Sequence, residues 1–278
     1  MYSLTINVFN FCRICVFSIP VMIGILCLSM ISVSFARQVP DIATLKSRSE
    51  LDDYYSNVVL GFNIINDTQS YASRFVGNKL NCTDCHREAG TLQGQLPLNV
   101  AGIYPLWRSK NAQITDLTLM IRECFVYSLN GVMPPANAPE VAAIKTYISY
   151  LSINQIIGES PGGRGVSTLP DTNYEPNSVN GQIIYKQYCV SCHGDAGNGL
   201  AENPPVWGMD SYTKGSGMND IQLAAGFINT KMSEMSKSSL SVQQAFDVAA
   251  YLNKQMRPVN PGKRKLPKLL QDIYGFFK

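Results

Sequence analysis

The chain of 278 residues is predicted to be all-α, built from two copies of one small helical unit behind an apolar leader. Three observations predict this. The stretch NCTDCHREAG (residues 81–90) returns as YCVSCHGDAG (188–197), with Cys82 and Cys189 107 positions apart. Between Gly- and Pro-rich breaks, apolar residues recur at helical spacing. The first 36 residues, finally, have a composition unlike anything that follows.

In the leader, Arg13 is followed by ICVFSIPVMIGILCLSMISVSFA, apolar or small-polar throughout and ending in the small-x-small site Ser34-Phe35-Ala36. Residues 1–36 are expected to be a cleaved export signal, which would make the compartment the periplasm. The apolar run is also comparable with the ~20 residues that span a bilayer, so retention as a membrane anchor is the alternative.

Residues 37–155 form the first expected unit. LDDYYSNVVLGFNIIN (51–66) places Leu51, Tyr55, Val58, Val59, Phe62 and Ile65 on one helical face. A Gly/Pro-punctuated loop follows the first cysteine pair, residues 114–128 read as a helix that MPPANAP breaks, and residues 140–153 read as a closing helix. Residues 156–177, with four glycines and three prolines, read as a linker. The second unit (178–260) repeats the plan, from NGQIIYKQYCVSCH through a long loop to a closing helix over 240–256. Tyr150-Leu151 and Tyr251-Leu252 then hold equivalent places. The basic tail 261–278 is expected to pack Leu269 and Leu270 on the body. A net charge of +3 gives no reason to expect a polyanionic partner such as nucleic acid.

Of eight cysteines, Cys12, Cys15 and Cys27 fall in the leader, leaving Cys82, Cys85, Cys124, Cys189 and Cys192. Five is an odd number, which argues against a simple disulfide framework. The leader pair Cys12/Cys15 has the two-residue gap but Val16 in place of a histidine. In both repeats the pattern is C-x-x-C-H, in which two thiols can add to the vinyl groups of one porphyrin and the adjacent imidazole falls beneath the iron. Cys82, Cys85 and His86, and again Cys189, Cys192 and His193, are therefore expected to hold two covalent haem c groups. Zinc would need further Cys or His ligands, and only Cys124 is spare.

His86 and His193 are the two histidines of the chain, so each far-side ligand must be another residue type or absent. For the second haem the candidates are Met209, Met218, Met232, Met235 and Met256. Cys124 lies 38 residues after His86 and Met232 39 after His193, so the duplication favours Cys124 and Met232, with Met120 and Met133 as alternatives in the first unit. Met120 is expected to face the core. A thiolate ligand lowers the reduction potential and Met/His ligation raises it, so electrons should run from the first haem to the second.

Nearly all of residues 55–260 resembles the dihaem thiosulfate dehydrogenase family, with relatives among the Cys-ligated cytochromes of sulfur oxidation. The resemblance is carried by GFNIINDTQSYASRFVGNKLNCTDCHREAGT, ECFVYSLNG, PPVWGMDSYTKGSGM, FINTKMSEMS and AFDVAAYLNKQMRP. It implies two fused class I cytochrome c domains, with Cys124 the distal ligand of the first haem and Met232 that of the second. Lys231 stands where family members can carry a basic residue able to replace the Met. The implied reaction joins two thiosulfates into tetrathionate, or runs in reverse, with a partner redox protein such as another cytochrome.

Two positions depart from the family pattern. Arg is typical four residues before the ligand Cys and three after it, where this chain has Met120 and Tyr127. Arg122 projects from another side of the helix and reads as a solvated cation. A dianionic substrate needs cations or several donors, for which Lys110, with Arg108 in YPLWRSK, and the hydroxyl of Ser128 are the candidates. Pro does not follow Met232, which keeps Met235 in play. Two further readings stand beside the enzyme: an electron carrier without its own substrate, and a related enzyme for another sulfur compound.

Overall fold

The computed structural model describes residues 42–50, 52–91, 96–109, 112–170, 174–232 and 239–263. The leader, Leu51, Lys110, Met235 and the tail beyond residue 263 lie outside them. Among the described residues no helix is long and apolar enough to cross a membrane.

The first half contains α1 (Ile42–Ser49), α2 (Asp53–Asn66), α3 (Thr68–Tyr71), the single turn α4 (Arg87–Gly90), α5 (Leu117–Tyr127) and α6 (Pro139–Leu151). The second contains α7 (Ser178–Tyr188), α8 (Val190–His193), α9 (Ile221–Phe227), a π-helical turn over Ile228–Met232, and α10 (Val242–Lys254). The long helices start where a short polar side chain can accept from the first free amides. Asp52 caps α2, Asp116 caps α5, Asn177 caps α7 and Asp220 caps α9, while Ser241 and Gln244 form a reciprocal capping box on α10. Pro139 opens α6 at a position whose amide needs no partner.

A short antiparallel hairpin, β1 (Leu106–Arg108) with β2 (Gln113–Thr115), interrupts the all-helical expectation. Residues 114 and 115, expected to open the helix, pair with Trp107 and Leu106 instead. The Asp116 cap sets the helix start, its side chain accepting from Leu119 N at 2.6 Å.

Each half has its own cluster of buried apolar side chains. One gathers Val58, Ile64, Phe125, Ile144 and Tyr147, the other Tyr185, Ala225, Phe246, Val248 and Leu252. The duplication is clearest where helices cross. Gly61 of α2 lies against the Ala143 carbonyl and Tyr147 Cβ of α6, and Gly181 of α7 against the Asp247 carbonyl and Tyr251 Cβ of α10. The structural equivalent of Tyr251 is therefore Tyr147, one helical turn before the Tyr150 that sequence matching selects. Matching by the Tyr-Leu pair ignored which residue faces the glycine.

A Cβ at Gly181 would overlap backbone, which cannot move as a side-chain end can. Gly181→Ala is expected to cost about 1–3 kcal/mol, read as a lower denaturant midpoint with an unchanged slope.

The two halves are stitched by polar contacts. Thr213 donates to the Tyr127 carbonyl through both its amide (3.1 Å) and its hydroxyl (2.8 Å), capping the end of α5 from the other half. Asn78 Nδ2 bonds the carbonyls of Ser128 and Ser211, and Lys79 pairs with Asp210 at 2.8 Å. The expected linker also packs on both halves. Gly158 N donates to Gly102 O, Leu96 N donates to Gly165 O, and Gly226 leaves room for the Ser167 carbonyl.

Candidate active site and redox centres

Around the first C-x-x-C-H, a cavity of about 590 Å³ is lined by Cys82, Cys85, His86, Cys124 and Ser128, with Ile65, Leu98, Ile121, Phe125, Leu129, Ile144 and Ile148 supplying apolar walls. Helix α5 presents Ile121, Cys124, Phe125 and Ser128 to it, residues that helical spacing places along one side. Cys124 and Ser128, expected to act together, thus meet the attachment motif in one space.

Around the second motif, cavities of about 750 and 700 Å³ share Cys189, His193, Pro204 and Met232. Met218 lines the larger one as well, whereas Met209 and Met256 are exposed. The carbonyl-bonding pattern of a π-helix places Met232 here, and Lys231 beside it is buried. Leu80 and Cys85 line both the first cavity and the larger second one.

The imidazoles are set in matching ways. His86 Nδ1 lies 2.7 Å from the Leu96 carbonyl, and His193 Nδ1 2.9 Å from the Pro204 carbonyl. A carbonyl only accepts, so Nδ1 must carry the proton and Nε2 keeps its lone pair for a metal. Burial also lowers both imidazole pKa values, favouring the neutral ligand form. Burial pushes the Cys82 and Cys85 thiols up to about 12 and Cys189 up to about 11. Among the described residues no group of three or more His, Cys, Asp or Glu could hold a metal ion, so neither motif has the further ligands that zinc needs. None of the five described cysteines is in a disulfide. Paired thiols, a correctly polarised imidazole and an apolar cavity together fit a covalently held haem at each motif.

The turn after His86 is held in an uncommon shape. Glu88 (φ 49°) and Ala89 (φ 52°) sit in the left-handed region, and Tyr147 Oη donates to Ala89 O at 3.0 Å. A hydrogen bond from the closing helix therefore fixes the segment that follows His86.

Residues 176–252 match the family described as cytochrome c oxidase, cbb3-type, subunit III. The chain is 38% identical over 216 residues to the thiosulfate dehydrogenase of Thiomonas intermedia (strain K12), covering 76% of this chain and 69% of that protein. It is 36% identical over 214 residues to that of Stutzerimonas stutzeri (strain A1501), covering 75% and 70%. The chain belongs to the thiosulfate dehydrogenase family. Among solved structures it resembles the thiosulfate dehydrogenase (TsdBA) of Marichromatium purpuratum in its as-isolated form, with a TM-score of 0.73 and 29% identity. That match covers 81% of this chain and about half of the solved one, 50%. As a member of the thiosulfate dehydrogenase family, the chain is a c-type cytochrome oxidoreductase.

The departures from the family pattern take a specific form. Tyr127 turns its ring toward Gly215 and Gly262. Arg122 is half-buried, its Nε donating to Pro134 O at 2.7 Å, and so is not the solvated cation the sequence suggested. It ties α5 to the breaker segment. Met120 is not in the core either: half-buried, its Sδ meets Arg108 Nη1 at 2.7 Å. The same Nη1 bonds Glu123 Oε2 at 2.9 Å, a largely buried pair. Arg108, only the second choice after Lys110 in the sequence, thus reaches α5 from β1. Nothing in the sequence signals this, because strands of three residues carry no alternation to read, and residues 114 and 115 read as the start of the helix.

Proposed function

We propose that this protein is an exported dihaem cytochrome that oxidises thiosulfate to tetrathionate, or reduces tetrathionate, at the cavity beside Cys124. Residues 1–36 direct export to the periplasm, and the halves 37–155 and 178–260 act as two cytochrome c domains. The observation that carries the reading is Cys124 on the wall of the His86 cavity, within a family of thiosulfate dehydrogenases.

Cys82, Cys85, His86 and Cys124 would hold the first haem, and Cys189, Cys192, His193 and Met232 the second, with Lys231 as the alternative ligand. Two haems, when bound, supply two one-electron acceptors. Oxidation forms one S–S bond between two thiosulfates, each losing one electron, and the pair passes on to a partner redox protein. Cys124 Sγ brings a soft sulfur to the sulfane end of the substrate. Ser128, one turn on, offers a hydroxyl to an oxygen at the other end. The apolar walls exclude water, which strengthens any charge-assisted contact made there.

The test mixes oxidised holoprotein with thiosulfate in the absence of oxygen, following the reduced-haem absorption band and assaying tetrathionate. Haem reduction with tetrathionate formed is expected. No reduction, in a protein that a chemical reductant reduces fully, together with no oxidation of the reduced protein by tetrathionate, rules the activity out and leaves the electron-carrier reading.

A further inference from the structure

An anion bound beside Cys124 needs positive charge, and the helix carrying Cys124 supplies none toward it. Arg122 is engaged by Pro134 O, and positions 120 and 127 are Met and Tyr. The cation comes from another element. Arg108, at the end of β1, lays its guanidinium across Met120 and Glu123 of α5. Met120 is one turn before Cys124 on the same helical face, so the guanidinium lies one turn from the sulfur.

We propose that Arg108 is the residue that binds the oxyanion end of the substrate beside Cys124, taking from the hairpin the place that a helix-borne arginine would fill at position 120. This rests on the thiosulfate reading and names the group that recognises the anion.

Three observations support it. First, the ion pair with Glu123 and the Met120 contact both engage Nη1. A guanidinium has five N–H donors in a rigid plane, so anchoring through one nitrogen orients the fork and leaves donors for a second anion. Second, the side chain of Arg108 is 23% exposed and that of Glu123 9%, so the pair sits in a partly desolvated place where a charged hydrogen bond counts for more than on the open surface. Third, a second arginine, Arg164, is carried by the segment whose Gly165 carbonyl accepts from Leu96 N, and the Leu96 carbonyl is also the one that holds His86, so that segment is tied to the same motif.

The test separates binding from turnover. Sulfate, a dianion that cannot reduce the protein, is titrated into oxidised holoprotein by calorimetry, and thiosulfate turnover is measured in parallel. Arg108→Gln should weaken sulfate binding and raise KM for thiosulfate by roughly ten- to a hundredfold, the value of a charge-assisted contact, with a much smaller change in kcat. Arg108→Lys, which keeps the charge without the fork, should fall between, and adding Met120→Arg to Arg108→Gln should restore part of the affinity. Haem content and thermal midpoint establish that each variant is folded. Equal sulfate affinity in wild type and folded Arg108→Gln, or no saturable sulfate binding in wild type, overturns the inference. Sulfate binding that depends on Arg108 in a protein that neither oxidises thiosulfate nor reduces tetrathionate keeps the anion site and overturns the thiosulfate reading.

Discussion

Replacing Cys124 with methionine is expected, on the dihaem reading proposed above, to lower thiosulfate-dependent turnover by at least about a thousandfold while leaving the protein folded and both haems attached. Methionine is larger than cysteine by about two methylene groups, so repacking at a cost of about 1–3 kcal/mol is expected, but its side chain is flexible and the wall it joins is mostly aliphatic. What changes is chemistry. A thioether cannot become a thiolate, cannot share a proton with the site and is a weaker donor to ferric iron. The midpoint potential of the first haem should therefore rise, since Met/His ligation favours the reduced state. Redox titration and steady-state turnover on the same preparation check both halves of the expectation. An electron carrier would show the potential shift and unchanged exchange with its partner; that pattern would remove Cys124 from the catalytic role.

The second large effect is structural. On the same reading, Cys189→Ala with Cys192→Ala would remove covalent attachment at the second motif, and the protein should retain one covalent haem, seen by mass spectrometry under denaturing conditions. Losing the group from the second cavity should also unfold that half. The walls of that space include Tyr185, Ala224, Ile228, Val248 and Leu252, all members of that half's apolar core. Without the group these side chains lose their packing partner on one side, and a domain held by only ~5–15 kcal/mol has little to spare. Loss of cooperative unfolding confined to residues 178–254, read by hydrogen exchange, is the expected signature. Protection in that half equal to wild type would show the second core closes without its cofactor.

The helices and the attachment motifs were legible because their signals are local. Apolar spacing found α2, α6 and α10, and C-x-x-C-H marked two candidate attachment points without any tertiary knowledge. Cys124 and Met232 came from their similar distance to the histidines, and the structure puts both residues on cavity walls. Other features depend on contacts distant in sequence. The Thr213 cap on Tyr127 spans 86 residues, and no local pattern marks it. Arg108 was underrated because the strands that aim it are three residues each, too short for alternation to show. The equivalence of Tyr147 with Tyr251 was missed because side-chain identity was matched, whereas the crossing geometry is set by Gly61 and Gly181.

Leu80 and Cys85 each touch two cavities. On the dihaem reading, the two electron stores are separated by one segment of chain. A charge placed on one side is then felt on the other through little intervening solvent, and the influence is equal in both directions. The two midpoints seen in a redox titration would belong to the pair, not to either centre alone.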